Sequence, residues 1–159
     1  TIQVDLNLPE RLGATFVDSD GERREPVMIH RALFGSLERF CGILIEHFAG
    51  RLPFWLSPIQ IVIASITDEA NDYAQLVKDR LLGSGLRAEL DLRNEKISYK
   101  VREHSVAKIP VILVVGKREA VESSVAVRRL GGKEQDVISL DEAVLQFKKE
   151  GLSPLEIAS

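Results

Sequence analysis

The sequence predicts an α/β layer fold with a mixed, mostly parallel sheet of about five strands and three flanking helices. An antiparallel strand-plus-helix segment precedes it. Three observations carry this. The runs "IQIVIAS" and "IPVILVVG" are nearly continuous in β-branched and aliphatic residues, as expected of strands covered on both faces. Stretches of helical periodicity alternate with them. The first residues, by contrast, alternate apolar and polar, the mark of strands covered on one face.

Taken in order, "TIQVDLNLP" places Ile2, Val4, Leu6 and Leu8 on one side, a half-buried strand closed by Pro9. "ATFVD" is a second short strand, "SDGE" has turn chemistry, and "PVMIH" is a third strand of an antiparallel meander. From Leu33 to Ala49 the apolar residues recur at helical spacing, and Gly50 ends the helix where a left-handed residue is tolerated. This helix is apolar around much of its circumference and needs neighbours. "RLPFWLSP" reads as a linker, giving two domains, 1–57 and 58–159.

After Pro58 the order is strand, helix, strand, helix, strand, strand, helix. "TDEANDYAQLVKDRLLGSG" is a helix with Thr67 as N-cap and Gly83 or Gly85 closing it. "LRAELDL" is a strand, and "NEKISYKVREHSVAK" is a helix with Asn94 as N-cap. "SSVAVRRLGG" is a strand running into a turn. "SLDEAVLQFKKEG" is a closing helix with Ser139 and Glu142 as a capping box.

Composition narrows the function. Hydrophobic residues are 45% of a 159-residue chain, enough to bury a core and unlike a disordered segment. The lone cysteine, Cys41, excludes an internal disulfide framework and fits a reducing compartment. No apolar run reaches membrane-spanning length. The chain starts at Thr1 and its one methionine is Met28, so a fragment or processed product is expected. Net charge is −3, yet Arg87–Lys133 holds eleven basic and six acidic residues. That segment is +5 and the rest −8, an asymmetry that suits either a polyanion partner or a solvated mixed-charge surface.

The candidate residues fall in two groups. Gly35, Arg39, Gly42 and Glu46 share one stripe of the first long helix. Glycines there leave room for a ligand or for close backbone packing, and Arg39 between them suits a planar base or a phosphate, or else reaches solvent. His30 ends an apolar strand without a second His or Cys at ligand spacing, so spacing alone supports no zinc site. In the basic segment, Asn94 is a cap or a base reader. Arg128 and Arg129 face opposite ways on a strand, and Tyr99 is a stacking or a core residue. There is no phosphate loop, nucleophile elbow or paired-cysteine motif.

The motifs "TIQVDLNLPERL", "PVMIHRALFGSLERF", "GILIEHFAGRLPFWLSP", "DLRNEKISYKVRE", "KIPVILVVG" and "VRRLGG" together resemble the C-terminal part of the bacterial threonyl-tRNA synthetases, class II aminoacyl-tRNA synthetases. "GSLER" resembles motif 3 of that class, and residues from Pro58 on resemble the class IIa anticodon-binding domain. The resemblance implies a remnant of the class II catalytic domain in 1–57 and an anticodon-binding domain in 58–159. It implies that Arg39 binds ATP, carried with Mg, and that Gln3 and Ser36 line the threonyl-adenylate site. It implies that His30 is one of three protein ligands to a zinc ion that holds threonine by its amino and hydroxyl groups. Asn94, Glu119 and Arg128, with Lys96, match positions that read anticodon bases.

The implied parent ligates threonine to its tRNA in the cytoplasm, as a homodimer without membrane attachment. Two zinc ligands and motifs 1 and 2 of the family lie outside this chain, so the chain alone is expected to be inactive while keeping anticodon recognition. Val111 and Lys117 stand where a tyrosine and an acidic residue are usual. A non-catalytic RNA-binding or accessory module is the competing reading, and a generic α/β small-ligand domain is a third.

Overall fold

The computed structural model describes residues 1–132 and 134–157. Contacts divide the chain into two compact units, Thr1–Leu44 and Ile45–Ser159, and each is described by itself.

In the first unit, β1 (Ile2–Asp5) ends four residues earlier than the alternation predicts. Asp5 is the reason. Its Oδ1 accepts the backbone N–H of Asn7 and of Leu8, at 3.0 and 2.9 Å, which turns the chain into the short helix α1 (Leu8–Arg11). Pro9 fits that helix because first-turn amides have no intrahelical partner. The expected three-strand meander is instead two separate pairs. β2 (Phe16–Val17) pairs with β3 (Arg23–Arg24), and β1 pairs antiparallel with β4 (Met28–Arg31). The helix α2 (Leu37–His47) begins later than Leu33. Gly35 precedes it at φ +74°, so this glycine serves a left-handed turn and is not part of a helical stripe. Of residues 1–44 only Pro9 is buried.

The second unit holds the core. A single 3₁₀ turn, Phe54–Leu56, leads to β5 (Ile61–Ser65). Another, Asp68–Ala70, follows Thr67, whose side chain makes no capping bond. Then come α3 (Asn71–Gly83), β6 (Ala88–Asp91), α4 (Ile97–Val106), β7 (Val111–Val115), α5 (Lys117–Glu122), β8 (Ser124–Arg129), β9 (Asp136–Ser139), α6 (Leu140–Glu150) and α7 (Pro154–Ile157). The helix α5 and the edge strand β9 have no counterpart in the sequence reading.

The sheet order is β6-β5-β7-β8-β9. β5 runs parallel to both β6 and β7, and β8 is antiparallel to its two neighbours. Four strands therefore point one way and β8 the other, the predicted mixed sheet. Strand periodicity divides the core. Ile61, Ile63, Val111, Leu113, Val115, Val125 and Val127 pack with α3 and α6 through Val77, Leu81, Ala143 and Phe147. Ala64, Ile112, Val114 and Ala126 face the other way, against Ile97 and Val101 of α4. Helices on both faces explain why β5 and β7 read as unbroken apolar runs. Ser139 caps α6 by accepting the Glu142 N–H at 3.2 Å.

The segment before β5 is tied to the sheet by two side chains. Gln60, 1% exposed, donates to the Phe54 carbonyl at 3.0 Å and accepts the Arg87 N–H at 2.9 Å. The Arg87 guanidinium donates to the Ser57 and Trp55 carbonyls at 3.0 and 2.7 Å.

Candidate nucleic-acid interface

The parallel strands β5, β6 and β7 end at Ser65, Asp91 and Val115, and open parallel sheets bind ligands beyond their carboxyl ends. The turn after β6 carries Asn94 and Lys96. Asn94 is not the N-cap of α4, since Lys96 holds that position. Asp91 Oδ1 accepts the Arg93 N–H at 3.2 Å and the Glu95 N–H reaches the Arg93 carbonyl at 2.8 Å. This tight turn delays the helix to Ile97. Asn94 is thereby left exposed with no side-chain hydrogen bond, and Lys96 is exposed without an ion pair. Tyr99, on the first turns of α4, is 53% exposed and is not a core residue.

On the α4 face of the sheet lies an open cleft of about 370 Å³. Ile66, Ile97, Val101 and Val114 supply its apolar lining, and Ser98, Arg128 and Gln135 its polar groups. Arg128 is half-buried and makes no ion pair. Its neighbour Arg129 faces the other way, forks onto Glu150 at 2.9 and 2.6 Å, and lies over the Phe147 ring. Glu119 follows β7. Its Oε2 accepts the Gly116 N–H at 2.9 Å. A Cβ at Gly116 would come within 3.1 Å of that oxygen and 3.0 Å of Ile66 Cδ1, so Glu119 packs beside a residue of the cleft.

Ion pairing reduces the basic patch. Arg93 pairs with Asp91 and Glu103, Lys100 with Asp91, Lys117 with Glu69, Arg118 with Glu122 and Arg129 with Glu150. Of the described basic residues from Arg87 to Gly132, Arg87, Lys96, Arg102, Lys108 and Arg128 carry charge with no acidic partner, and the Arg87 guanidinium is taken up by backbone carbonyls. Two of these five, Lys96 and Arg128, are sequence candidates for base reading. Lys133 lies outside the described residues.

A buried ionic cluster supports the turn, and sequence reasoning missed it. Asp91 binds the Arg93 guanidinium at 2.9 and 2.7 Å, has His104 Nε2 at 2.8 Å, and lies 3.8 Å from Lys100 Nζ. The Arg93 bonds hold the Asp91 carboxyl well below the usual carboxylate range, against the opposing effect of burial. Burial pushes the Lys100 ammonium down. One signal was available. Ile97, Lys100, Val101 and His104 fall at i, i+3, i+4 and i+7, so Lys100 and His104 occupy the inward phase of α4.

In the first unit, the β1–β4 register sets Gln3 directly opposite His30, so their side chains share one face of the pair. Asp5 shares that face, and His30 Nε2 lies 3.3 Å from Asp5 Oδ2. Among the described residues no group of three or more His, Cys, Asp or Glu is gathered to hold a metal ion. The residues present do not fit a zinc site by themselves. Ser36 and Arg39 meet in the first turn of α2, where Ser36 Oγ accepts the Arg39 N–H at 3.1 Å. Both are exposed. Among the described residues no helix is long and apolar enough to cross a membrane.

A family model described as "Anticodon binding domain" matches residues 60–150, and one described as "tRNA synthetase class II core domain (G, H, P, S and T)" matches residues 1–48. The chain belongs to the anticodon-binding domain family. It is similar to the threonine–tRNA ligases of Sinorhizobium medicae and Bartonella quintana, each 60% identical over 154 residues. The match covers 97% of this chain and 23% of each relative, so the chain spans about a quarter of the length of the curated relatives it matches. The crystal structure of the RNA-binding domain of threonyl-tRNA synthetase from Cryptosporidium parvum Iowa II superposes with TM-score 0.79 at 35% identity, covering 97% of this chain and 40% of that one. A prolyl-tRNA synthetase from Cryptosporidium parvum, at 21% identity and TM-score 0.61 over 89% of this chain and 32% of that one, shares the fold.

Proposed function

We propose that this chain is the C-terminal part of a threonine–tRNA ligase, and that residues 58–159 read the anticodon of threonine tRNA. The observation that carries the reading is the state of the candidate side chains in a family of anticodon binders. Asn94, Lys96 and Arg128 are left without protein partners, while the neighbouring Arg93, Lys100 and Arg129 are neutralised. A single-stranded loop presents unstacked bases to such amide and guanidinium groups, and phosphates to such ammonium groups. Glu119 keeps its second carboxylate oxygen for a base amino group.

Residues 1–57 belong, on this reading, to the class II catalytic domain. Arg39 is the nucleotide-binding arginine, acting on ATP carried with Mg, and Gln3 and Ser36 line the adenylate pocket. His30 contributes one zinc ligand, the others coming from sequence beyond this chain. The intact ligase is a cytoplasmic homodimer that activates threonine with ATP and transfers it to tRNA. The chain alone forms no threonyl-adenylate.

The test is a titration against a threonine-tRNA transcript and the same transcript with its anticodon exchanged, at two salt concentrations. Preference for the threonine anticodon that survives the higher salt supports the reading. Equal, salt-sensitive binding to both overturns it and leaves only a basic surface.

A further inference from the structure

Lys100 is 1% exposed. An ammonium group that far from water must be paired. Its Nζ donates to the carbonyls of Ser65 and Asp91 at 2.9 and 3.0 Å. These two residues are the last of β5 and β6, so one side chain ties two strand ends to α4. The Asp91 carboxylate accepts from the Arg93 backbone and from two guanidinium nitrogens, besides facing His104 and Lys100. A carboxylate held by so many donors has one orientation. The far nitrogen of Arg93 donates to both Glu103 oxygens at 3.2 and 3.1 Å, which fixes Arg93 against α4. The next residue is Asn94.

We infer that Asp91 and Lys100 are positioning residues for anticodon recognition, fixing the Arg93–Lys96 turn so that Asn94 and Lys96 are presented ready for RNA. The inference rests on the base-reading role proposed above for those two side chains. Stability alone does not account for the pair. Buried ion pairs replaced by apolar side chains of similar volume are often as stable or more so. An apolar pair at positions 91 and 100 would fill the same space without charges to desolvate. What it would not supply is the tie between the strand ends, the Asp91 carboxylate and the turn. A preordered turn lowers the entropy lost when RNA binds.

The experiment compares the affinities of the 159-residue chain for anticodon stem-loops carrying the threonine anticodon and an exchanged one. The variants are Lys100→Met, Arg93→Lys and Asn94→Ala. Arg93→Lys keeps the charge on the surface but cannot fork between Asp91 and Glu103. The expected result is that Lys100→Met and Arg93→Lys stay folded by circular dichroism and lower the affinity ratio on the order of tenfold. Combined with Asn94→Ala, neither lowers it further, because both act through the same contact. A merely structural role would instead weaken binding to both loops alike and leave their ratio unchanged.

A folded variant that keeps the wild-type ratio overturns the inference, as does a double variant in which the losses multiply. Should Lys100→Met unfold, Arg93→Lys decides the question. If Asn94→Ala leaves the ratio unchanged, the base-reading role falls and this inference with it. If Asn94→Ala lowers the ratio and Arg93→Lys does not, only this inference falls.

Discussion

Arg129 lays two guanidinium nitrogens on the Glu150 carboxylate, at 2.9 and 2.6 Å, closing the end of β8 onto the last turn of α6. Strand alternation turns Arg128, one residue earlier, to the opposite face and into the cleft. Adjacent arginines of one "VRRL" motif thus have different duties. Arg129→Ala is expected to destabilise the fold by about 1 kcal/mol, the scale of a partly exposed ion pair, and to leave anticodon preference intact. Arg128→Ala should do the reverse. Chemical denaturation and stem-loop titration of both variants check this.

Asp91 sets an acid dependence. Its folded carboxyl lies below the usual range, held there first by Arg93 and also by His104, the Arg93 N–H and Lys100, with burial opposing. A depressed carboxylate stabilises the fold fully above its unfolded value, near 4, and that contribution is lost as pH falls through the folded value. Asp91→Asn should therefore be less stable than wild type at pH 7, by about 3 kcal/mol. The gap should narrow as pH falls below about 4. Urea midpoints at pH 7, 4 and 3 measure it, and a constant gap would contradict it.

Gln60 is a buried amide with both ends engaged. Gln60→Leu keeps the bulk, leaves the Arg87 N–H unpaired and leaves the Phe54 carbonyl only the Ser57 N–H at 3.3 Å. A loss of about 2 kcal/mol is expected. Restored thermal stability in this variant would show that water replaces the amide there.

The two units should open independently. With only Pro9 buried in residues 1–44, amides of β1 and β4 are expected to exchange with solvent orders of magnitude faster than those of β5 and β7. Native-state hydrogen exchange giving equal protection across both would refute it.

Where burial dictates residue type, the sequence was legible. "IQIVIAS" and "IPVILVVG" became β5 and β7 because a strand covered on both faces is apolar at nearly every position. The cap at Ser139 and, of the two glycines offered, the left-handed stop at Gly85 followed from local hydrogen bonding. Short elements were not legible. Single side chains decide them: Asp5 ends β1, and Asp91 postpones α4 past Asn94. The strand β9, with Asp136, Val137 and Ser139 exposed, carries too little pattern to stand out. The candidate residues could be named from the sequence, but not the partners each would have. Arg93 and Arg128 look alike in sequence, and only the fold shows that one is occupied and the other free.

The seclusion of Lys100 also makes it a chemical clock. Lys96 and Lys108 stand in solvent, whereas the Lys100 amine is sealed beneath α4. An amine-reactive reagent will mark the first two within the intact fold and reach the third only when α4 lifts from the ends of β5 and β6. The yield of label at that one nitrogen over time counts those openings, with no residue of the protein changed.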